Sequence, residues 1–304
     1  MTSGRIDWIA VDWGTSHLRL WLMGDGGQVL DRRHSDRGMS KLKPDEFEAT
    51  LLALVGDRLP AGRRVPVICC GMAGARQGWA EAPYAAVPCL PGTWDRAARP
   101  RTSDPRLAVA ILPGLSQARP ADVMRGEETQ IAGYLAANPG FDGVLCLPGT
   151  HCKWAHVSAG EVVSFRSFMT GELFALLSTA SVLRHSVATT GEDQAAFSAA
   201  LDQAMARPAT VATDLFSLRA ESLLQGLDPV TARARLSGLL IGIELAGARP
   251  YWLGQEVAII GAGGLADAYA TGLAAQGLSP RRTDAEAMTL AGLAAAHDAL
   301  KGQL

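Results

Sequence analysis

Short apolar blocks broken by glycine-rich turns open the chain. Residues 6–12, 17–23 and 27–33 predict three successive strands, joined through Trp13-Gly14-Thr15-Ser16 and Gly24-Asp25-Gly26-Gly27. The period then changes, and Asp45 to Leu59 carries Phe47, Leu51, Leu52 and Val55 on one helical face. Val65 to Cys70 and Leu107 to Leu112 are continuous apolar runs of strand length. Between them, residues 80–106 contain Pro83, Pro88, Pro91, Pro100 and Pro105, which predicts a long irregular but ordered excursion. Glu127 to Ala137 reads as a helix stopped by Asn138-Pro139-Gly140. Strands and helices in this order make a mixed α/β layout, not an all-parallel one.

From residue 143 the pattern starts again. Gly143 to Leu147 is a strand, Pro148-Gly149-Thr150-His151 a turn, and Lys153, Trp154 and Val157 lie on a second strand, with a third over Gly160 to Phe165. Gly149-Thr150 thus stands where Gly14-Thr15 stood. Helical segments follow near 171–185, 191–205, 214–225 and 230–249. Val257 to Ile260 is a short strand, Gly261-Ala262-Gly263-Gly264 a glycine loop, and helices over Leu265 to Gln276 and Asp284 to Leu300 complete the chain.

A length of 304 residues accommodates two domains, and 48% hydrophobic with 19% charged residues is ordinary globular material. The formal net charge of −2 provides no footprint for nucleic acid or an anionic membrane surface, and the short pairs Arg32-Arg33, Arg63-Arg64 and Arg281-Arg282 suit a small acidic substrate better than a polymer. No apolar run reaches about 18 residues and no signal-like segment is visible, so the expected location is cytoplasmic. Five cysteines without zinc-like spacing agree with a reducing compartment; Cys69, Cys70 and Cys146 lie inside apolar strands and read as buried small hydrophobes. Oligomeric state is not legible, and a homo-oligomer stays open.

The chemistry gathers at the glycine turns. In Asp12-Trp13-Gly14-Thr15-Ser16 the glycine lets a ligand approach the backbone, the hydroxyls and free N–H groups suit phosphate oxygens, and the acid suits hydrated Mg²⁺. An ordinary polar hairpin tip has the same composition. Gly261 to Ala266 fits the dinucleotide pattern G-x-G-x-x-A, but about 40 residues remain after it and Arg281 stands where an acid belongs, so no βαβ unit can be built there. A G-x-x-x-x-G-K-[ST] loop is absent from the sequence.

The duplicated three-strand unit, its two Gly-Thr turns and the late strand–Gly-Ala-Gly-Gly–helix resemble the sugar kinase/Hsp70/actin superfamily. Longer strings are more specific: Gly71-Met72-Ala73-Gly74-Ala75-Arg76-Gln77-Gly78-Trp79-Ala80-Glu81-Ala82-Pro83-Tyr84, Asp122 to Gln130, Leu147 to Trp154, and Phe168 to Phe174. Together they resemble the 2-dehydro-3-deoxygalactonokinase family nearly end to end. Ala75 and Cys152 stand where that pattern leads one to expect serine, and each removes a hydroxyl without altering charge or glycine content. The resemblance implies a two-domain, ribonuclease H-like duplicated α/β fold with an interdomain nucleotide cleft. A sugar-binding domain would cover 1–126 with the final helix from 284, and a nucleotide-binding domain 127–283. It also implies ATP and Mg²⁺, and transfer to O6 of a small 2-keto-3-deoxy sugar acid. Another such acid, an exopolyphosphatase-like phosphatase and a non-enzymatic chaperone or filament of the superfamily are the rival readings. Too little sequence is left for a chaperone's peptide-binding domain.

By that resemblance Asp12, Gly14, Thr15 and Ser16 form the first phosphate turn, with Asp12 on the metal. Gly149, Thr150 and Lys153 form the second, and Gly261, Gly263 and Gly264 the adenosine loop. Glu127 and Glu128 open a helix and could simply complement its dipole; the resemblance makes one of them the general base, and the following Thr129 favours Glu128. Arg76, Gln77, Trp79, Glu81, Tyr84 and Arg125 are the expected sugar-acid contacts, with Arg76 able to meet the carboxylate bidentately. Lys153 could equally be a solvated strand residue. His151 reads as structural, Thr170 as a helix N-cap, and Glu172 as a further candidate contact with the sugar.

Overall fold

Residues 4–304 are described by the structure, a computed structural model. The chain divides into two compact units. One runs up to Phe141 and adds Val157–Ser164 and Ala285–Leu304; the other holds Asp142–His156 and Phe165–Asp284.

The first unit is built on strands β1 (Trp8–Trp13), β2 (Leu18–Met23), β3 (Val29–Ser35), β4 (Val65–Gly71) and, after the short β5 (Tyr84–Ala86), β6 (Leu107–Ile111). Their order is β3-β2-β1-β4-β6, antiparallel in the β1–β2 and β2–β3 pairs and parallel where β4 joins β1 and β6. The strand period of two sends alternate residues to opposite faces. Ile9, Val11 and Trp13 pack with Phe47, Leu51 and Val55 of helix α1 (Phe47–Val55), while Trp8, Ala10, Ile68 and Cys70 pack on the other face toward Leu293, Ala296 and Leu300. The predicted helix over 45–59 is shorter at both ends, because Pro44–Glu46 form a 3₁₀ turn and Gly56 closes α1. The excursion at 80–106 is largely irregular as expected, and β5 pairs with β7 (Gly114–Ala118), itself paired with β8 (Ala121–Met124).

Helix α2 (Glu127–Ala137) lies just after the expected boundary at 126/127, yet it groups with the first unit. The reason is its crossing with the final helix of the chain, Ala285–Leu300. A Cβ on Gly133 would sit 2.0 Å from Met288 O, and one on Gly292 1.9 Å from Thr129 O. Only glycine lets the two backbones come this close.

The second unit repeats the sheet. Strands β9 (Gly143–Leu147), β10 (Cys152–Ser158), β11 (Glu161–Phe168), β12 (Val257–Ile260) and β13 (Arg281–Thr283) are ordered β11-β10-β9-β12-β13, with β12 parallel to both β9 and β13; only the tip of the β10–β11 hairpin, Val157–Ser164, groups with the first unit. The helices here are α3 (Thr170–Thr179), α4 (Gln194–Ala206), α5 (Val211–Leu224), α6 (Pro229–Gly247), α7 (Arg249–Trp252) and α8 (Gly263–Ala275); the final helix is α9. Val144, Cys146, Trp154 and Ile259 of the sheet pack with Leu201, Ile241, Leu245, Tyr269 and Leu273 of these helices. The two like-ordered sheets bear out the duplicated ribonuclease H-like α/β fold expected from the sequence. No helix among the described residues is long and apolar enough to cross a membrane.

Candidate active site

In the first unit, the register of the sheet sets the surroundings of Asp12. It sits at the end of β1 opposite Arg19 of β2 and opposite Cys70 of β4. Arg19 donates to Asp12 Oδ2 from Nη2 at 2.5 Å and from Nε at 3.2 Å, and Cys70 Sγ lies 3.8 Å from Oδ1. The acid ending a buried strand therefore has a protein partner, which the sequence pattern did not supply. The next turn is held by the segment after β3: Met39 N donates to Gly14 O, Gly38 N to Ser16 O, and Ser40 N and Oγ to Thr15 O. With those carbonyls engaged, the side chains of Thr15 and Ser16 stay exposed.

Glu128 lies on the same side of the sheet. It is fully buried in the first turn of α2, where its Oε2 accepts from Gly126 N at 2.7 Å and its Oε1 accepts from Thr129 Oγ1 at 3.1 Å. Gly126 holds a φ of 108°, and this bend brings the helix start against Gly71 at the end of β4. Burial, followed by the charge of Glu127, pushes the Glu128 carboxyl up to about 8, against the pull of the backbone N–H groups and Arg125. Cys70 is the shared neighbour: its thiol bonds with Thr129 and feels both Asp12 and Glu128, and burial pushes it well up. Glu127 turns instead to Arg125 N at 3.1 Å and is partly exposed.

The six expected sugar contacts separate. Arg76, Gln77 and Glu81 are exposed. Trp79 spends its ring on packing, edge-on to Trp13 with centroids 6.1 Å apart and stacked on Phe47 at 6.2 Å. Tyr84 lies under the Arg125 guanidinium, 4.3 Å from its ring centroid. Arg125 gives Nη2 to Ala82 O at 2.8 Å, while its buried Nε and Nη1 have no hydrogen-bond partner among the described residues.

In the second unit, Gly149 and Thr150 form the turn between β9 and β10. A Cβ on Gly171 would fall 2.4 Å from Gly149 O, and Glu172 N donates to Thr150 O at 3.0 Å, so the start of α3 lies directly against this turn. Lys153 is buried, not a solvated strand residue, and its Nζ points back to His151 O at 3.5 Å. His151 Nε2 lies 2.5 Å from Glu172 Oε2, so the two candidate residues pair with each other. Thr170 is not an N-cap: Met169 holds that position and the Thr170 hydroxyl donates to Glu244. Gly261 N donates to Thr283 O at 3.0 Å, anchoring the exposed loop through Gly263 and Gly264 that opens α8.

Arg19 and Glu244 carry site geometry that the sequence pattern did not single out. Arg19 could have been found as the one charge on an otherwise apolar strand, and Glu244 as the lone acid in the run Leu239-Leu240-Ile241-Gly242-Ile243-Glu244-Leu245.

The profile of the 2-keto-3-deoxy-galactonokinase family matches residues 12–296. A protein of Rhizobium meliloti (strain 1021), named as a 2-dehydro-3-deoxygalactonokinase, is 43% identical over 301 residues, covering 96% of each chain. The 2-dehydro-3-deoxygalactonokinase of Escherichia coli (strain K12) is 35% identical over 259 residues, covering 84% of this chain and 85% of that one. A crystal structure from Sinorhizobium meliloti, named for the same activity, superposes with a TM-score of 0.89 at 42% identity and covers 97% of both chains.

Proposed function

The chain belongs to the 2-keto-3-deoxy-galactonokinase family, and on that premise we propose that it transfers the γ-phosphoryl group of ATP to the C6 hydroxyl of 2-dehydro-3-deoxy-D-galactonate in galactonate catabolism. The observation that carries the reading is Glu128, a buried carboxylate at a helix start with its acidity tuned to about 8, on the side of the sheet where Asp12 ends β1. Phosphoryl transfer asks a base to orient the hydroxyl and accept its proton late, and a pKa near the working pH serves both. Glu128 is that base. Glu127 serves it by holding the Arg125–Gly126 bend and by raising its pKa.

In the first unit the turn holding Gly14, Thr15 and Ser16 is a phosphate turn; in the second, the turn holding Gly149, Thr150 and Lys153 is another, and Gly261, Gly263 and Gly264 form the adenosine loop. Lys153 contributes a positive charge at the second turn. Among the described residues no group of three or more His, Cys, Asp or Glu side chains is placed to hold a metal. Mg²⁺ that arrives with the nucleotide fits such a site, because it keeps most of its waters and needs only a carboxylate or two besides phosphate oxygens. Asp12 would hold it in exchange for Arg19, and the ion would supply neutralisation of charge on the phosphates.

For the sugar acid, Arg125 is the residue we assign to the carboxylate. Two of its guanidinium nitrogens have no hydrogen-bond partner among the described residues and its plane is stacked by Tyr84. Arg76 and Gln77 supply exposed polar groups to the same substrate. The five cysteines are all free thiols, in keeping with work in the reducing cytoplasm.

The test is ADP release measured with a panel of 2-keto-3-deoxy sugar acids. ADP formation that depends on the galactonate derivative, with the phosphate recovered at O6, is expected. Phosphate release without any sugar acid would instead identify a phosphatase.

A further inference from the structure

We propose that Glu244 is a positioning residue that sets the second phosphate turn and the adenosine loop with one carboxylate. It sits in α6, outside both loops, and is 1% exposed. Its Oε1 accepts from Trp154 Nε1 at 2.8 Å; its Oε2 accepts from Tyr269 OH at 2.6 Å and from Thr170 Oγ1. The Cys152 thiol also bonds with it. These partners are neutral donors from three separate elements, β10, α3 and α8.

A buried carboxylate is costly unless every lone pair is met, and well-packed apolar residues would stabilise a core at least as well. What the carboxylate adds is direction. Thr170 begins the turn of α3 in which Gly171 and Glu172 touch Gly149 and Thr150. Trp154 lies on the strand that leaves that same turn, beside Lys153. Tyr269 lies on the helix that opens from Gly263 and Gly264. Holding three donors at one acceptor fixes these elements against each other to within hydrogen-bond tolerance, which is the precision a preorganised site needs.

The inference rests on the reading of 149–153 and 261–264 as nucleotide loops. It is tested by titrating ADP, AMP and the sugar acid into the whole protein and into three variants. Thr170→Val should weaken ADP by a factor in the usual coupling range, about 5–150-fold, and leave AMP unchanged. Tyr269→Phe should weaken both nucleotides, as should Glu244→Gln. Sugar-acid affinity should stay at the wild-type level in all three. ADP binding that survives in every variant overturns the role alone. A parallel fall in nucleotide and sugar-acid affinity that follows a loss of thermal stability also overturns it, because it marks a general packing role. A wild-type chain that binds neither nucleotide overturns the loop assignment and this role with it.

Discussion

Arg19 closes on Asp12 across the β1–β2 ladder, two of its guanidinium nitrogens reaching the same carboxylate oxygen. The Arg19 side chain is 44% exposed, so water screens the pair and its share of fold stability is small, about 0–1 kcal/mol. Asp12→Asn should therefore leave the melting temperature nearly unchanged. Turnover should fall by at least about a hundredfold, the scale of one lost electrostatic contact to a transferring phosphoryl group. Steady-state kinetics beside a thermal melt checks both halves, and retained turnover would place the metal elsewhere.

Glu128 should announce itself in the pH profile. As a base it works deprotonated, so kcat/KM should rise with pH along a limb centred near the free-enzyme value of about 8. Stability should move the other way. The folded-state pKa is raised from an ordinary value of 4.5, so the folded chain holds an extra proton between about 4.5 and 8. That contribution is complete below the lower value and is lost as pH climbs through the upper one. Glu128→Gln should erase the limb, cut turnover at least about a hundredfold and leave ATP binding intact. Its melting temperature should not drop at pH 9, because the buried charge is gone. Near-normal turnover would end the assignment.

Arg125 and Tyr84 make a paired prediction. Arg125→Met should raise KM for the sugar acid by at least about tenfold, the loss of one charge-assisted hydrogen bond of about 1.5–3 kcal/mol, while KM for ATP holds. Tyr84→Leu should reproduce a weaker form of the same change by releasing the guanidinium plane. An equal rise for both substrates would assign Arg125 to the scaffold.

The glycine contact between α2 and α9 is testable without touching the site. Gly292→Ala places a methyl where Thr129 O already lies. The helices must part, at a cost of about 1–3 kcal/mol for overpacking, and the displacement falls one residue from Glu128. The expected result is a lower melting temperature with a drop in kcat larger than any change in the KM for ATP.

Much of this architecture was legible in the sequence because strands with strong apolar runs and glycine turns announce themselves locally. The five strands predicted in the first half, the Glu127–Ala137 helix and the Val257–Ile260 strand all appear where the pattern puts them. Arg281–Thr283 was not legible as a strand: it is three residues of polar chain, and only pairing with β12 makes it one. The β7–β8 pair was missed for the same reason, since Gly114–Ala118 and Ala121–Met124 carry little apolar periodicity. At the candidate site, Asp12 could be picked out by its place at a strand end, and the family resemblance pointed to Glu128 at a helix start. Their neighbours could not. Arg19 reaches Asp12 through register, Trp79 is drawn into the ring cluster with Trp13 and Phe47, and Glu244 finds Trp154 at a separation of 90 residues.

The glycine crossing also orders events in time. Residues are made from the N-terminus, and α2 emerges before any strand of the second sheet. The surface it needs, Met288 and Gly292, is made only after β13. Until then Leu293, Ala296 and Leu300 are missing from the face formed by Trp8, Ala10 and Ile68, and the nascent sheet shows that apolar side to the cell. Synthesis interrupted before this helix should yield a chaperone-dependent, aggregation-prone chain, and completion of the first unit waits until α9 has been made.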